Sequence, residues 1–390
     1  MDLKGNWNYP TVVRFGAGRI NELADACRQL GIKQPLLVTD PALAILPMVC
    51  DAVTRNEAAG IPTTVFSDVK PNPLARNVEA GLKLYREGKH DGVIAFGGGS
   101  ALDAGKVIAF MIAQTRPMWD FEDIGDNWKA ANSVGIAPII AVPTTSGTGS
   151  EVGRAAVIMN ESDHSKKILF HPKMLPSIVI SDPELTLGLP PHITAATGMD
   201  ALAHCLEAYC VPSYHPMAEG IAIEGMRLIK DSLPIAVSDG KDLAARSNMM
   251  AAASMGAAAF QKGLGAIHAL SHPVGSLYDT HHGLTNGVVM PYVLEFNRAA
   301  IDVKLARLAA WLGLAEPSFD AVLQWVLDLR REIGIPHTLK ELGVDNERID
   351  ELARLAAVDP TAGGNPIPIG VPELKTMFVA AIEGRMGRPN

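Results

Sequence analysis

Cysteine is scarce in this chain and scattered. Cys27, Cys50, Cys205 and Cys210 are the only four in 390 residues and none forms a Cys-x-x-Cys pair, so neither a disulfide framework nor a redox dithiol is encoded and a reducing cytoplasm is the expected setting. Charge is thin as well. Only 19% of residues are charged, the formal net charge is −8, and no basic run or aromatic-interleaved basic patch occurs, which excludes nonspecific binding to nucleic acid. No apolar stretch approaches the roughly 20 residues that span a bilayer. The opening MDLKGNWNYP has neither the positive start nor the apolar core of an export signal, so a cytoplasmic protein without a membrane partner is expected.

Apolar residues, in contrast, make up 48% of the chain. A chain of 390 residues exceeds what one hydrophobic core usually serves, and two domains are expected, residues 1–189 and 190–390. In the first, short apolar or β-branched runs at Thr11–Phe15, Pro35–Thr39, Thr63–Phe66, Gly92–Phe96, Ile136–Val142 and Ser177–Ile180 alternate with helical stretches such as Ile20–Leu30 and Asn77–Glu87. That alternation predicts an α/β domain with a mostly parallel sheet. After Pro190-Pro191 strand-like runs nearly vanish and alanine, leucine and methionine dominate, which predicts an all-helical domain.

The helical half carries two clamps. Asp200 and His204, and again His268 and His272, stand four residues apart, a spacing that puts both side chains on one helical face, ready for a cation. His282 follows close behind. Imidazole and carboxylate suit divalent iron, zinc, cobalt or manganese, and without thiolates the set lacks the softness of structural zinc and iron–sulfur centres. A catalytic ion with a position left for substrate is the expectation. Ala201, Leu202, Ala203 and Leu206 surround the first clamp, where an uncompensated carboxylate would be costly.

The α/β half carries a phosphate cradle. Gly97-Gly98-Gly99-Ser100 follows the buried run Gly92–Phe96 and opens a helix at Ala101–Ala113, so the backbone can approach a pyrophosphate and the helix N-terminus can stabilise its charge. Gly16 and Gly18 imitate the dinucleotide fingerprint, but Asn21 replaces its third glycine and the segment reads as a turn. Asp40 ends the run Pro35–Asp40. Its carboxylate can accept from ribose hydroxyls and repel a 2′-phosphate, favouring NAD over NADP, or it can cap the element opened by Pro41. The loop Pro143–Glu151 is dense in hydroxyls and glycines that offer neutral donors to a nucleotide, or make a turn between strands. Lys166 and Lys167 read as a solvated pair, or as a pair that reaches cofactor phosphate or ribose.

Taken together, Thr39-Asp40, Pro71-Asn72-Pro73, Gly97–Ser100 with Asp103 and Lys106, the loop Pro143–Val152, Thr197–His204, Gly263–Pro273 and His282-Gly283 closely resemble the iron-containing, group III alcohol dehydrogenases. The resemblance runs from about Tyr9 to the C-terminal helices. It implies a Rossmann-like N-terminal domain and an all-helical C-terminal domain, the dehydroquinate synthase-like architecture, with NAD(H) held against a divalent ion, iron or zinc. Its metal ligands are Asp200, His204, His268 and His282. His272 then leaves the ligand set and becomes a catalytic residue, a proton relay. Cofactor contacts fall to Asp40, Asn72, Gly98, Gly99, Ser100, Thr144, Thr145, Thr148 and Lys167.

The implied reaction is hydride transfer between NAD(H) and a primary alcohol or aldehyde. A zinc-dependent glycerol or polyol dehydrogenase, a hydroxy-acid or semialdehyde dehydrogenase of the same superfamily, and a dehydroquinate synthase-like lyase are the alternatives. Ala155 and Ala259 match pocket-lining positions and leave room beyond a two-carbon substrate, while Arg154 keeps an anionic aldehyde open. A homodimer or larger homo-oligomer is expected, with the strand at Thr11–Phe15 free to pair across a two-fold axis.

Overall fold

A computed structural model describes residue 9, residues 11–162 and residues 165–387. The segment read for an export signal lies, apart from Tyr9, outside the described residues. The chain divides into two compact units, Tyr9 to Gly188 and Leu189 onward.

The first unit is built on a six-stranded sheet of β1 (Val12–Phe15), β2 (Pro35–Val38), β3 (Thr64–Phe66), β4 (Gly92–Gly97), β5 (Ile139–Pro143) and β8 (Ile178–Ser181). Its order is β1-β8-β5-β4-β2-β3 and every pairing is parallel. Strands β2, β4, β5 and β8 are buried at every residue, as continuous apolar runs covered on both faces must be. The helices of this unit are α1 (Leu23–Gln29), the single turn α2 (Pro41–Ala44), α3 (Pro47–Ala58), α4 (Ala75–Glu87) and α5 (Gly99–Met111). Strand β1 lies at the sheet edge with Val12, Val13 and Phe15 exposed.

Two local differences from the sequence reading have plain causes. Helix α1 starts at Leu23, because Arg19–Glu22 forms a tighter 3-10 turn after Gly18. The Ile20 N–H in that turn is taken by the Asp182 carboxylate, 3.0 Å away, so the Gly16–Gly18 segment is a capped turn. An antiparallel hairpin, β6 (Ala155–Asn160) and β7 (Ser165–Phe170), was not anticipated. Its half-buried residues and the lysines on β7 break the apolar continuity that marked the other strands.

The second unit is helical throughout its described length: α6 (Pro191–Cys210), α7 (Pro216–Ser238), α8 (Leu243–Ala259), α9 (Ala266–Tyr278), α10 (His282–Trp311), α11 (Phe319–Glu332), α12 (Ile349–Ala357) and α13 (Val371–Glu383). Helix α6 is buried along almost its whole length and packs against α7, α8 and α10. Its C-terminal carbonyls are satisfied by a buried cation: Lys262 Nζ donates to Tyr209 O at 3.3 Å and Val211 O at 2.6 Å, and pairs with Glu219 at 2.7 Å, as a helix C-terminus favours. Pro291 inside α10 frees the carbonyl of Gly287. The buried Arg330 guanidinium donates to Gly287 O at 3.3 Å and to Val288 O at 2.9 Å, so the helix continues past the proline.

No described helix is long and apolar enough to cross a membrane.

Candidate functional site

In the helical unit, α6 presents Asp200 and His204 on one face, α9 presents His268, and α10 begins with His282. One ligand atom from each of Asp200, His204 and His268 lies within 4.8 Å of the others. His282 is outside that mutual set, yet its Nε2 stands 3.5 Å from Asp200 Oδ1. The His204 and His268 rings stack at 4.8 Å. Asp200, His204 and His268 are all at most 4% exposed, and His282 is the outer member at 28%.

Neighbouring side chains hold these groups. Asn286, one turn after His282 on α10, donates from Nδ2 to Asp200 Oδ1 at 2.8 Å. Glu207, one turn after His204, places Oε2 at 2.5 Å from His268 Nδ1. Burial alone would lower the His268 pKa, but the carboxylates of Glu207, Asp200 and Asp359 outweigh it and hold it above its ordinary value. The site therefore favours positive charge at a point that water cannot readily reach, and a divalent ion satisfies the same field. Cys205 adjoins His204 in sequence, but burial pushes its thiol up to about 12, which keeps it neutral and leaves a nitrogen–oxygen donor set. The residues fit a borderline-hard divalent ion.

His272 does not join that set. Its Nδ1 lies 2.7 Å from Asp359 Oδ2, and its ring stacks on His282 at 5.2 Å. The second clamp read from spacing alone is thus split between two tasks, with His268 turned to the cluster and His272 held beside it. Burial pushes the Asp359 carboxyl up, and the His272 charge together with hydrogen bonds from His272 and Thr361 outweighs that and leaves its pKa below the usual carboxylate range.

The α/β unit gathers most of the expected cofactor residues at the carboxyl ends of β2, β4 and β5, where open α/β sheets bind ligands. Gly97 ends β4 with φ 149° and Gly98 caps α5. The Thr144 N–H donates to Gly97 O at 3.0 Å. A Cβ on Gly98 would come within 3.4 Å of Thr145, and one on Gly99 within 2.6 Å of Thr148 Oγ1, so the two glycines let the Thr144–Thr148 loop lie against the start of the helix, next to Ser100. Asp40 caps α2, its Oδ1 accepting from Ala42 and Leu43 N–H at 2.9 Å each. Its Oδ2 lies 3.9 Å from the Cβ position of Gly97, so capping leaves one oxygen at the cradle.

Asn72 and Lys167 are held at the hairpin. Asn72 has φ 55° in a turn whose Pro73 carbonyl accepts the Met159 N–H at 2.8 Å. Lys167 is not solvated as read: its Nζ pairs with Glu122 at 3.0 Å and its side chain is 19% exposed. Arg154 lies with its guanidinium 5.3 Å from the Phe170 ring centre. Ala155 opens β6 and Ala259 ends α8, fully buried. Asp103 and Lys106 pin the loop to α5: Asp103 accepts from Ser150 Oγ at 2.5 Å and Val157 N–H at 2.9 Å, while the buried Lys106 ammonium donates to Ser150 O at 3.0 Å and to Ala155 O.

Sequence reasoning missed Glu207, Asn286 and Asp359. Two of them had a local signal: Glu207 continues the Asp200–His204 face at i+7, and Asn286 stands four residues after His282. Asp359 is 87 residues from His272 and had none.

Comparison with known proteins bears on both units. The family model for iron-containing alcohol dehydrogenase matches residues 10–183, and that for the C-terminal part of the Fe-containing alcohol dehydrogenase family matches residues 194–382. A 4-hydroxybutyrate dehydrogenase of Cupriavidus necator is 39% identical over 380 residues, covering 95% of this chain and 98% of that protein. A 1,3-propanediol oxidoreductase structure matches with a TM-score of 0.92 at 35% identity, over 97% of this chain and 100% of that one. The sulfoacetaldehyde reductase from Bifidobacterium kashiwanohense, solved in complex with NAD+, matches with a TM-score of 0.89 at 31% identity, over 97% and 99%.

Proposed function

The chain belongs to the iron-containing alcohol dehydrogenase family, and on that premise we propose that Asp200, His204, His268 and His282 hold a divalent ion, iron in the first instance, for NAD-dependent interconversion of a primary alcohol and its aldehyde. The observation that carries this reading is the buried convergence of Asp200, His204 and His268. When bound, the ion supplies a Lewis acid that polarises the substrate oxygen, and NAD(H) accepts or donates hydride. Asp200 supplies the one negative ligand, and Asn286 fixes its orientation. The Gly98–Ser100 turn offers helix N–H groups to the dinucleotide phosphates, with Thr144, Thr145 and Thr148 beside it. The Asp40 oxygen left free by capping would accept from ribose hydroxyls and disfavour a 2′-phosphate. Asn72 and Lys167 complete the cofactor contacts.

His272 serves as the proton relay. With the Asp359 carboxylate accepting from Nδ1–H, its Nε2 is the atom that takes or gives the proton. If His272→Ala leaves turnover and its pH profile unchanged, this role is lost; a fall in turnover with a flattened profile is expected.

The substrate proposed is a short primary alcohol or aldehyde with a second polar end, in keeping with the 4-hydroxybutyrate and 1,3-propanediol enzymes among the relatives. An aldehyde panel assayed by NADH consumption with anaerobically iron-loaded protein tests it. Succinic semialdehyde or 3-hydroxypropanal should be turned over faster than acetaldehyde, and the matching alcohol should yield net NADH. Absence of net NADH formation with every alcohol would favour the dehydroquinate synthase-like alternative, and greater activity with zinc than with iron would favour the polyol dehydrogenase. A cytoplasmic homo-oligomer completes the proposal, supported by four unpaired thiols and the exposed apolar residues of β1.

A further inference from the structure

We infer that Glu207 is the positioning residue of the metal centre, holding the Nδ1–H of His268 so that Nε2 is the atom turned to the ion. Its place follows from helix geometry. Asp200, His204 and Glu207 occupy i, i+4 and i+7 of α6, one continuous stripe, and the third member reaches past the donor cluster to the root of α9. There its two oxygens have separate tasks. Oε2 lies 2.5 Å from His268 Nδ1, and Oε1 accepts the Ile267 N–H at 2.7 Å. An ionised carboxylate only accepts hydrogen bonds, so the proton between Glu207 and His268 sits on the ring nitrogen, and the Nε2 lone pair is left for a metal.

The second task fixes the helix as well as the ring. Gly265 at the N-cap of α9 has no side chain with which to satisfy the first N–H groups. They are served from outside, Ala266 by Asn365 Oδ1 at 3.3 Å and Ile267 by Glu207. A Cβ at Gly265 would lie 3.1 Å from Glu207 Oε1 and 3.2 Å from Asn365 Oδ1, so glycine makes room for both acceptors. One carboxylate, placed at a helix N-terminus that favours negative charge, thus sets the position of the helix carrying His268 and the orientation of the ring on it. Both oxygens being engaged, Glu207 is not itself a ligand.

This inference rests on the metal reading of the cluster, and Co2+ titration of the chelator-stripped, full-length protein separates the two. The set comprises wild type, Glu207→Gln, His268→Ala and the double variant. Glutamine can still accept the Ile267 N–H through its carbonyl, but its NH2 then faces His268 Nδ1 and drives the ring proton to Nε2. Glu207→Gln is expected to weaken Co2+ binding by about 10- to 100-fold, and to cost far less when His268 is already alanine. Equal affinity in Glu207→Gln and wild type, or the same penalty with and without the His268 imidazole, overturns the inference while leaving the metal site intact. A wild type that binds no Co2+ overturns the metal reading and this inference with it. Should Glu207→Gln not fold, Zn2+-loaded wild type labelled with 15N-histidine decides: Nδ1–H with metal on Nε2 at His268 agrees, and the reverse contradicts.

Discussion

Asp200→Asn is expected to lose its bound metal on dialysis and to fall in kcat/KM by roughly 10³-fold or more, since a Lewis-acid ion contributes several kcal/mol and each 1.4 kcal/mol is about tenfold in rate. Asparagine has nearly the same shape, so the change removes little but charge. Asp200 is the sole carboxylate among the four proposed ligands. It stands 3.5 Å from His282 Nε2 and 3.9 Å from His204 Nε2, and without it three neutral imidazoles must hold a dication. The metal-free variant should nonetheless unfold at a temperature equal to or above that of the metal-free wild type, because a buried carboxylate has been replaced by a neutral amide. Metal analysis, steady-state kinetics with NADH and thermal melting of both stripped proteins check all three parts. A variant that keeps its metal and its rate removes Asp200 from the site.

Gly283→Ala should disable the same centre without replacing a ligand. Gly283 is the second residue of α10, directly after His282. A Cβ there would be driven into the Ala196 carbonyl oxygen and would lie 2.9 Å from the Asp200 Cβ. The obstacle is the backbone of α6, which no rotamer change relieves, so the start of α10 must move away and carry His282 from Asp200. A loss of about 1–3 kcal/mol in stability is expected from the overpacking, with Co2+ affinity and turnover falling together by at least tenfold. Gly220→Ala on α7 is the control. Nothing lies within 4 Å of its Cβ position, and in a helix it should be neutral or slightly stabilising. Urea unfolding with Co2+ titration of both variants makes the comparison. A Gly283→Ala protein as stable and as metal-competent as Gly220→Ala would refute the packing argument.

Legibility in the sequence followed burial. Strands β2, β4, β5 and β8 were readable as uninterrupted apolar runs because both faces of the sheet are covered, and their ends differ by only a few residues from expectation, as at β5, which starts after Pro138. The β6–β7 hairpin was invisible for the opposite reason: its residues are largely half-buried, and Lys166 and Lys167 looked like ordinary surface charge. In the helical half, i,i+4 spacing singled out two pairs, Asp200 with His204 and His268 with His272. Spacing alone could not tell which histidines turn to the cluster, because His268 and His272 share a helix face and differ only in their partners. Those partners, Glu207 and Asp359, reach them across 61 and 87 residues of chain. Asp40 shows the converse, since its capping and its ribose-facing readings were posed as rivals, and capping uses only one of its two oxygens.

Anomalous diffraction at the iron absorption edge, from crystals of anaerobically Fe2+-loaded protein grown with NAD+, asks most directly whether this chain works through a held cation. One strong peak bonded by Asp200, His204, His268 and His282 is the expected result. A peak elsewhere, or none in crystals whose dissolved protein still oxidises alcohol with NAD+, would contradict it.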